Sequence, residues 1–317
     1  MLTRWTLVVC IGLTPAAAQT SRPAPRDEVL PRLVEQVENG SVADCVHALE
    51  TLAELGRDAA ATVPALLKTA RDLGPAKGVH GGDPAPGESL GGLDADGRGA
   101  VEAHLAHTLG RIGPKAIKPL VADLLGTDPH GRAFAIRALG AMGSQGTAAV
   151  APLCHVLRNA ERGERVRIMV TLGYIGDGAH AAVADLAAEL SNPDPELRMT
   201  AAQALWGIGV PAVAVLARHS LAGEAPARRA ATWALARLPN APGVATVLLR
   251  LLDDADDDVR AKAVRGLANA LPLSAPAMAR LRVLATSDTS YDVRLGAEVT
   301  LALAARAVPE PVAGPGR

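Results

Sequence analysis

The stretch DPELRMTAAQALWGIG, residues 194–209, decides the fold. It opens on Asp-Pro, a helix-starting pair, and carries Arg198 and, seven residues later, Leu205. Small residues fill the space between. The same grammar recurs along the chain, with the leucine falling at Leu52, Leu109, Leu139, Leu172, Leu205, Leu235, Leu267 and Leu301. Successive gaps are 57, 30, 33, 33, 30, 32 and 34 residues. A period near thirty with a helical interior predicts a stacked solenoid, in which each unit buries its apolar face only against its neighbours.

Counting from the arginine as position zero sets the register. Position zero holds Arg132, Arg165, Arg198, Arg228, Arg260 and Arg294. Position three is Ala or Ile, position six Ala, Thr or Gly, and position seven the leucine. At about 100° per residue these fall on one helix stripe. So many small side chains on that stripe predict helices that approach closely. A second, more aliphatic segment precedes most of these helices: VPALL at 63–67, IKPLVADLL at 117–125, VAPLCHVL at 150–157 and VATVLLRLL at 244–252. Turns such as Asp128-Pro129 and Asn192-Pro193-Asp194-Pro195 lie between, placing an aspartate to cap the next helix and a proline in its first turn.

In DPELRMTAAQALWGIG and in DDDVRAKAVRGLANAL this pattern resembles the HEAT repeat, in the form found in phycobilisome-lyase-like HEAT proteins. The resemblance implies an all-α chain: a right-handed α-solenoid of about eight HEAT-like two-helix repeats over residues 29–306. It also implies that the second helix of each unit lines the concave face, and that the array is a binding scaffold, since a fold of this kind does not fix an activity. The first two units depart from the pattern, with Cys45 and Glu102 at the arginine position.

Aromatic residues make up 2% of the 317, too few for an ordinary globular core, so small aliphatic contacts have to replace them. A net charge of −1 gives no global drive toward nucleic acid or membrane. Residues 1–18 read as a secretory signal peptide: Arg4, an apolar run from Trp5 to Leu13, then Ala16-Ala17-Ala18. The run is too short to span a bilayer. The expected location is therefore periplasmic or secreted. Residues 19–28 form a polar lead-in and 307–317 a disordered tail. Residues 74–99, rich in Gly and Pro, read as a flexible loop inserted between the two helices of unit two. Within it Asp94-x-Asp96-Gly97-x-Gly99 faintly resembles a calcium loop, but Arg98 and Leu105 stand where oxygen ligands are needed. Cys45 and Cys154 lie in different units and read as small buried hydrophobes, with no disulfide between them.

Positions two, five and nine lie opposite the Ala/Leu stripe and are expected to face the groove. They give His47, Glu50 and Glu54; His104, His107 and Arg111; Phe134 and Arg137; Arg167 and Tyr174; Gln203; Trp233 and Arg237; Lys262, Arg265 and Asn269. This strip concentrates aromatics and positive charge in a nearly neutral chain. It predicts a groove for an anionic or extended protein segment, with Trp233 and Tyr174 as anchors. Trp206, at position eight, is expected to be a packing anomaly beside Gly207 and Gly209. His47, Glu50, His104 and His107 form two i, i+3 pairs on adjacent helices, a spacing able to build a four-ligand metal site. That site would support the alternative reading, a metal-dependent enzyme or a chromophore-lyase-like protein. Against it, the His-Glu dipeptides of HEAT-repeat di-iron hydroxylases are missing, and no nucleophile–base pair or phosphate loop is present. The leading expectation is a non-enzymatic scaffold with no cofactor, no nucleic-acid partner and no stable membrane span.

Overall fold

The computed structural model describes residues 26–74 and 97–307. The expected leader (1–18), the lead-in up to residue 25, the interior of the inserted loop and the tail from 308 lie outside the described residues. The rest is helical, in consecutive pairs: α1 (Arg26–Asn39) with α2 (Val42–Leu55), α3 (Val63–Leu73) with α4 (Arg98–Ile112), and α5 (Ile117–Leu124) with α6 (Pro129–Ala141). There follow α7 (Val150–Leu157) with α8 (Arg162–Ile175), α9 (Val183–Glu189) with α10 (Pro195–Ile208), and α11 (Val213–Ala222) with α12 (Ala225–Leu235). The last two pairs are α13 (Val244–Leu251) with α14 (Asp257–Ala268), and α15 (Ala275–Ser287) with α16 (Tyr291–Ala307). Each even-numbered helix packs on the next, from α2 through to α16, so the chain is an all-α solenoid with one continuous inner seam. The inserted segment falls between α3 and α4, and its last residues, Arg98 and Gly99, already belong to α4.

The stripe read from the sequence is the core. The position-three residues Ala135, Ile168, Ala201, Ala231, Ala263 and Ala297 are fully buried, and so are the marker leucines from Leu52 to Leu205. Leu301, in the last helix, is only partly covered. Threonine at position six bonds across the seam: Thr171 Oγ1 donates to Ile136 O at 3.1 Å, and Thr108 Oγ1 donates to Leu49 O at 3.0 Å. Both hydroxyls are thereby satisfied in the core. Turns after the even helices use glycine in the left-handed region, as at Gly209 with φ of +79°.

The position-zero arginines form a ladder along the turns. Arg260 donates from Nε and Nη2 to the two carboxylate oxygens of Asp288, both at 2.8 Å, and from Nη1 to Asp254 O at 2.9 Å. Arg228 grips Asp254 in the same two-pronged way at 3.0 and 2.9 Å, and donates to Gly223 O at 3.2 Å. Arg132 holds Glu164 at 3.0 Å and Gly126 O at 3.1 Å, while Arg165 pairs with Glu189. Each of these four arginines ties a carboxylate of the following unit, and three of them a turn carbonyl of their own, while Arg198 and Arg294 reach turn carbonyls. The acidic run at 253–258 belongs to this system. Asp254 takes Arg228, Asp256 caps α14 and takes Arg229 at 2.8 Å, and Asp253 takes Arg280 at 2.6 Å. Capping is therefore only part of its role.

Breaking a buried pair leaves a stranded charge, so Arg260→Ala is expected to destabilise the chain by about 3 kcal/mol or more. Arg158→Ala, which removes an exposed, solvent-screened pair with Asp185, is expected to lose far less; urea denaturation of both compares them. The hydrogen bond from Arg260 holds the Asp288 carboxyl below its usual range. Its contribution is therefore complete above the ordinary carboxylate pKa and fades as pH falls through the lower folded-state value. The stability gap between wild type and Asp288→Asn is expected to close on acidification below about pH 4.

Candidate functional site

The exposed face of the even-numbered helices has a sharper register than the sequence suggested. In the inner units position two does not belong to it. Phe134 is 2% exposed, and Thr200 and Ala230 at the same position are also buried. At about 100° per residue, position two lies only about 40° from position six, which faces the preceding unit. The expectation that Phe134 lines the groove is thus corrected: its ring fills the core. Arg167, also at position two, is part-buried, with its Nε enclosed and without a hydrogen-bond partner.

Positions five and nine are the open ones, joined by position eight in α10. Tyr174 on α8 is 39% exposed and Trp206 on α10 is 43% exposed. Trp233 on α12 is half-buried, packed against the core on one side. The Trp206 and Trp233 rings meet edge to face, with centroids 6.0 Å apart and planes at 84°. Arg237 lies over the Trp233 ring at 3.9 Å and donates from Nη1 to Trp233 O at 3.0 Å. Burial, and then the nearby Arg265 charge, lower the Arg237 guanidinium pKa from its ordinary value, yet a guanidinium stays charged at any physiological pH. Trp206 is therefore part of an aromatic pair in the strip, and the expectation that it is an isolated packing anomaly is corrected.

The cations of the strip divide into two groups. Arg137 pairs with buried Glu102 at 3.3 Å, so the residue that replaces a ladder arginine in unit two gains its own counter-charge. Lys262 pairs with Asp258 on its own helix. Arg237 and Arg265 have no carboxylate partner among the described residues, and Arg111 and Gln203 are exposed. Two of the strip's unneutralised cations, Arg237 and Arg265, thus lie near Trp233.

The proposed metal quartet does not assemble. His104 Nε2 approaches Glu50 at 3.8 Å and its Nδ1 bonds Ala100 O at 2.8 Å. Among the described residues, no three or more His, Cys, Asp or Glu side chains converge to hold a metal ion, so His47 and His107 do not complete a set with His104 and Glu50. Cys45 and Cys154 are free and buried. Burial, followed by the charge of Asp185, pushes the Cys154 thiol up to about 11, far from a reactive thiolate. Sequence reading also missed a concavity of about 690 Å³ between α9 and α11 on the odd-helix side. Ala184, Ala187, Ala188 and Val215 line it, together with His180, Arg218 and His219. Those two histidines are 39 residues apart in the chain, in different units, and only stacking brings them to one cavity.

The chain is a HEAT-repeat protein: the family model for HEAT repeats matches residues 90–173, 150–236 and 183–268, together more than half of its length. Among curated proteins, none matches it. Solved structures with a similar fold include an archaeal HEAT-like repeat protein from Thermococcus onnurineus NA1, 16% identical over 63% of this chain and 91% of that one, with a TM-score of 0.47. A designed armadillo repeat protein in complex with the peptide (KR)4 is 18% identical over 59% of this chain and 99% of that one, with a TM-score of 0.41. The complex of CpcE and CpcF of phycocyanin lyase from Nostoc sp. PCC7120 is 23% identical over 48% of this chain and 98% of that one, with a TM-score of 0.38. At these scores the likeness carries no argument about ligands. Among the described residues no helix is long and apolar enough to cross a membrane.

The two tryptophans differ in how much of the core they support. Trp233→Ala is expected to lose about 2 kcal/mol of stability and Trp206→Ala under about 1 kcal/mol, as read by urea unfolding.

Proposed function

We propose that this HEAT solenoid is a non-enzymatic scaffold that holds an extended, acidic protein segment along the open face of its even-numbered helices. The observation that carries the reading is the Trp206–Trp233 pair with Arg237 stacked upon it. The chain has only six aromatic residues, and three of them, Tyr174, Trp206 and Trp233, lie on three successive even helices. Large aromatics and arginine together are the composition of interface hot spots. Arg237 and Arg265 add positive charge that no carboxylate of the described residues neutralises. An extended segment suits a solenoid, because its repeats offer similar pockets at regular intervals.

The leader read at residues 1–18 places this activity outside the cytoplasm in the same proposal. Beside the tryptophans the face presents Arg237 and Arg265. Its chemistry is recognition of carboxylates and of apolar side chains between them.

Fluorescence anisotropy with a labelled Asp/Glu-rich peptide containing spaced leucines tests the reading. Trp206→Ala and Arg237→Glu are each expected to weaken binding by about tenfold or more, with helical content unchanged. Equal affinity for wild type and both variants, or equal affinity for a Lys-rich peptide of the same length, would count against it.

A further inference from the structure

The last helix carries an apolar pattern on the same open face, with Val299 and Leu303 at positions five and nine of α16, beyond the units that hold the tryptophans. Leu295, Val299 and Leu303 of α16 are 43%, 50% and 40% exposed, spaced four residues apart. Asp292 and Arg306, also exposed, lie seven residues before and seven after Val299. At about 100° per residue, all five fall within about 80° of one another around the helix. The pattern is a palindrome in chemistry as well as in spacing. An acid and a leucine precede the central valine, and a leucine and a base follow it at the same distances.

This stripe is not simply an edge where a further repeat is missing. In the inner units position four faces the next repeat, and Ile136, Met169, Ala202, Thr232 and Val264 are all buried there. In α16 that position is Glu298, exposed, followed at position eight by the small Ala302. A helix stacked there would have to bury the Glu298 carboxylate. The apolar stripe sits to one side of this carboxylate.

We infer that the stripe docks on α16 of a second copy of this chain, the two helices antiparallel about a two-fold axis through Val299. In that arrangement residue 299+k of one copy faces 299−k of the other. Val299 meets its own equivalent, Leu295 meets Leu303 twice, and Asp292 meets Arg306 twice. Apolar residues form the seam and opposite charges close both of its ends, the division of labour found in paired helices. A parallel arrangement sets Asp292 against Asp292 and Arg306 against Arg306, so the charges select the antiparallel one.

Sedimentation velocity of the full chain over a range from about 1 to 200 µM reads the result, since a single helix pair is smaller than the roughly 800 Å² per partner of a standard interface. Wild type is expected to shift from monomer to dimer across that range. Val299→Glu is expected to remain monomeric, with unchanged circular dichroism. Asp292→Arg and Arg306→Asp are each expected to weaken the dimer by about tenfold or more in Kd, and the double variant to regain it, because the exchanged charges again face their opposites. A wild type that is monomeric throughout overturns the inference. So does a dimer indifferent to Val299→Glu, or one that responds to Val299→Glu but not to the charge exchange.

Discussion

Where α8 meets α10, a Cβ on Gly207 would fall 2.5 Å from the carbonyl oxygen of Gly173, and one on Gly173 would fall 3.0 Å from Ala204 Cα. Backbone lies against backbone, with no room for a side chain. The same crowding recurs where Gly110 meets Ala141 and where Gly266 meets Ala236. Close approach along the seam lets a chain with six aromatics make a continuous core, because dispersion between small groups is effective only at contact distance. It also fixes the register of the exposed face. Once positions three, six and seven are pressed into the seam, five and nine have nowhere to point but outward.

The arginine ladder serves the same end by another route. Buried ion pairs are a weak source of net stability, but they are directional, and a displaced partner is strongly penalised. Arg228, Arg260 and Arg165 each tie a carboxylate of the following unit, so a slipped repeat would strand a charge. Apolar stacking of near-identical helices does not distinguish one register from the next. Two-pronged pairs such as Arg260 with Asp288 do.

These two constraints explain what was legible in the sequence. The repeat, the helix pairs and the buried stripe follow from residues at fixed spacing within one unit, where periodicity is a complete guide. The odd-helix segments beginning at Val63, Ile117, Val150 and Val244 start where their aliphatic runs start. The candidate site was legible only in part, because it depends on how units meet. Phe134 and Tyr174 both looked outward on an isolated helix. The neighbour decides between them, and covers the position next to six while leaving nine free. Trp206 looked anomalous because its partner, Trp233, comes from the next unit. Arg137 and Lys262 looked like open cations until Glu102 and Asp258 were placed beside them. His47, Glu50, His104 and His107 had the spacing of a site without its convergence, since a helix spacing fixes which face a side chain occupies and not how far apart two faces lie.

The distribution of charge links the two halves of the molecule's behaviour. The chain is almost neutral, with 32 basic and 33 acidic residues. Much of the acid is drawn to the turns, where aspartates cap helices and receive the ladder arginines. The open face is left with arginines over tryptophan and with few acids to oppose them. A structural device for holding repeats in register therefore also polarises the surface. Arginine keeps its charge at every physiological pH, so a segment bound at Arg237 would respond to pH mainly through its own carboxylates. It would also respond to salt, which screens exposed charge far more than it weakens the Trp206–Trp233 contact. Under the proposed function, recognition on this face would be a sum of two parts with different sensitivities: an ionic part that would select acidic segments, and an aromatic part that would hold them once they arrive.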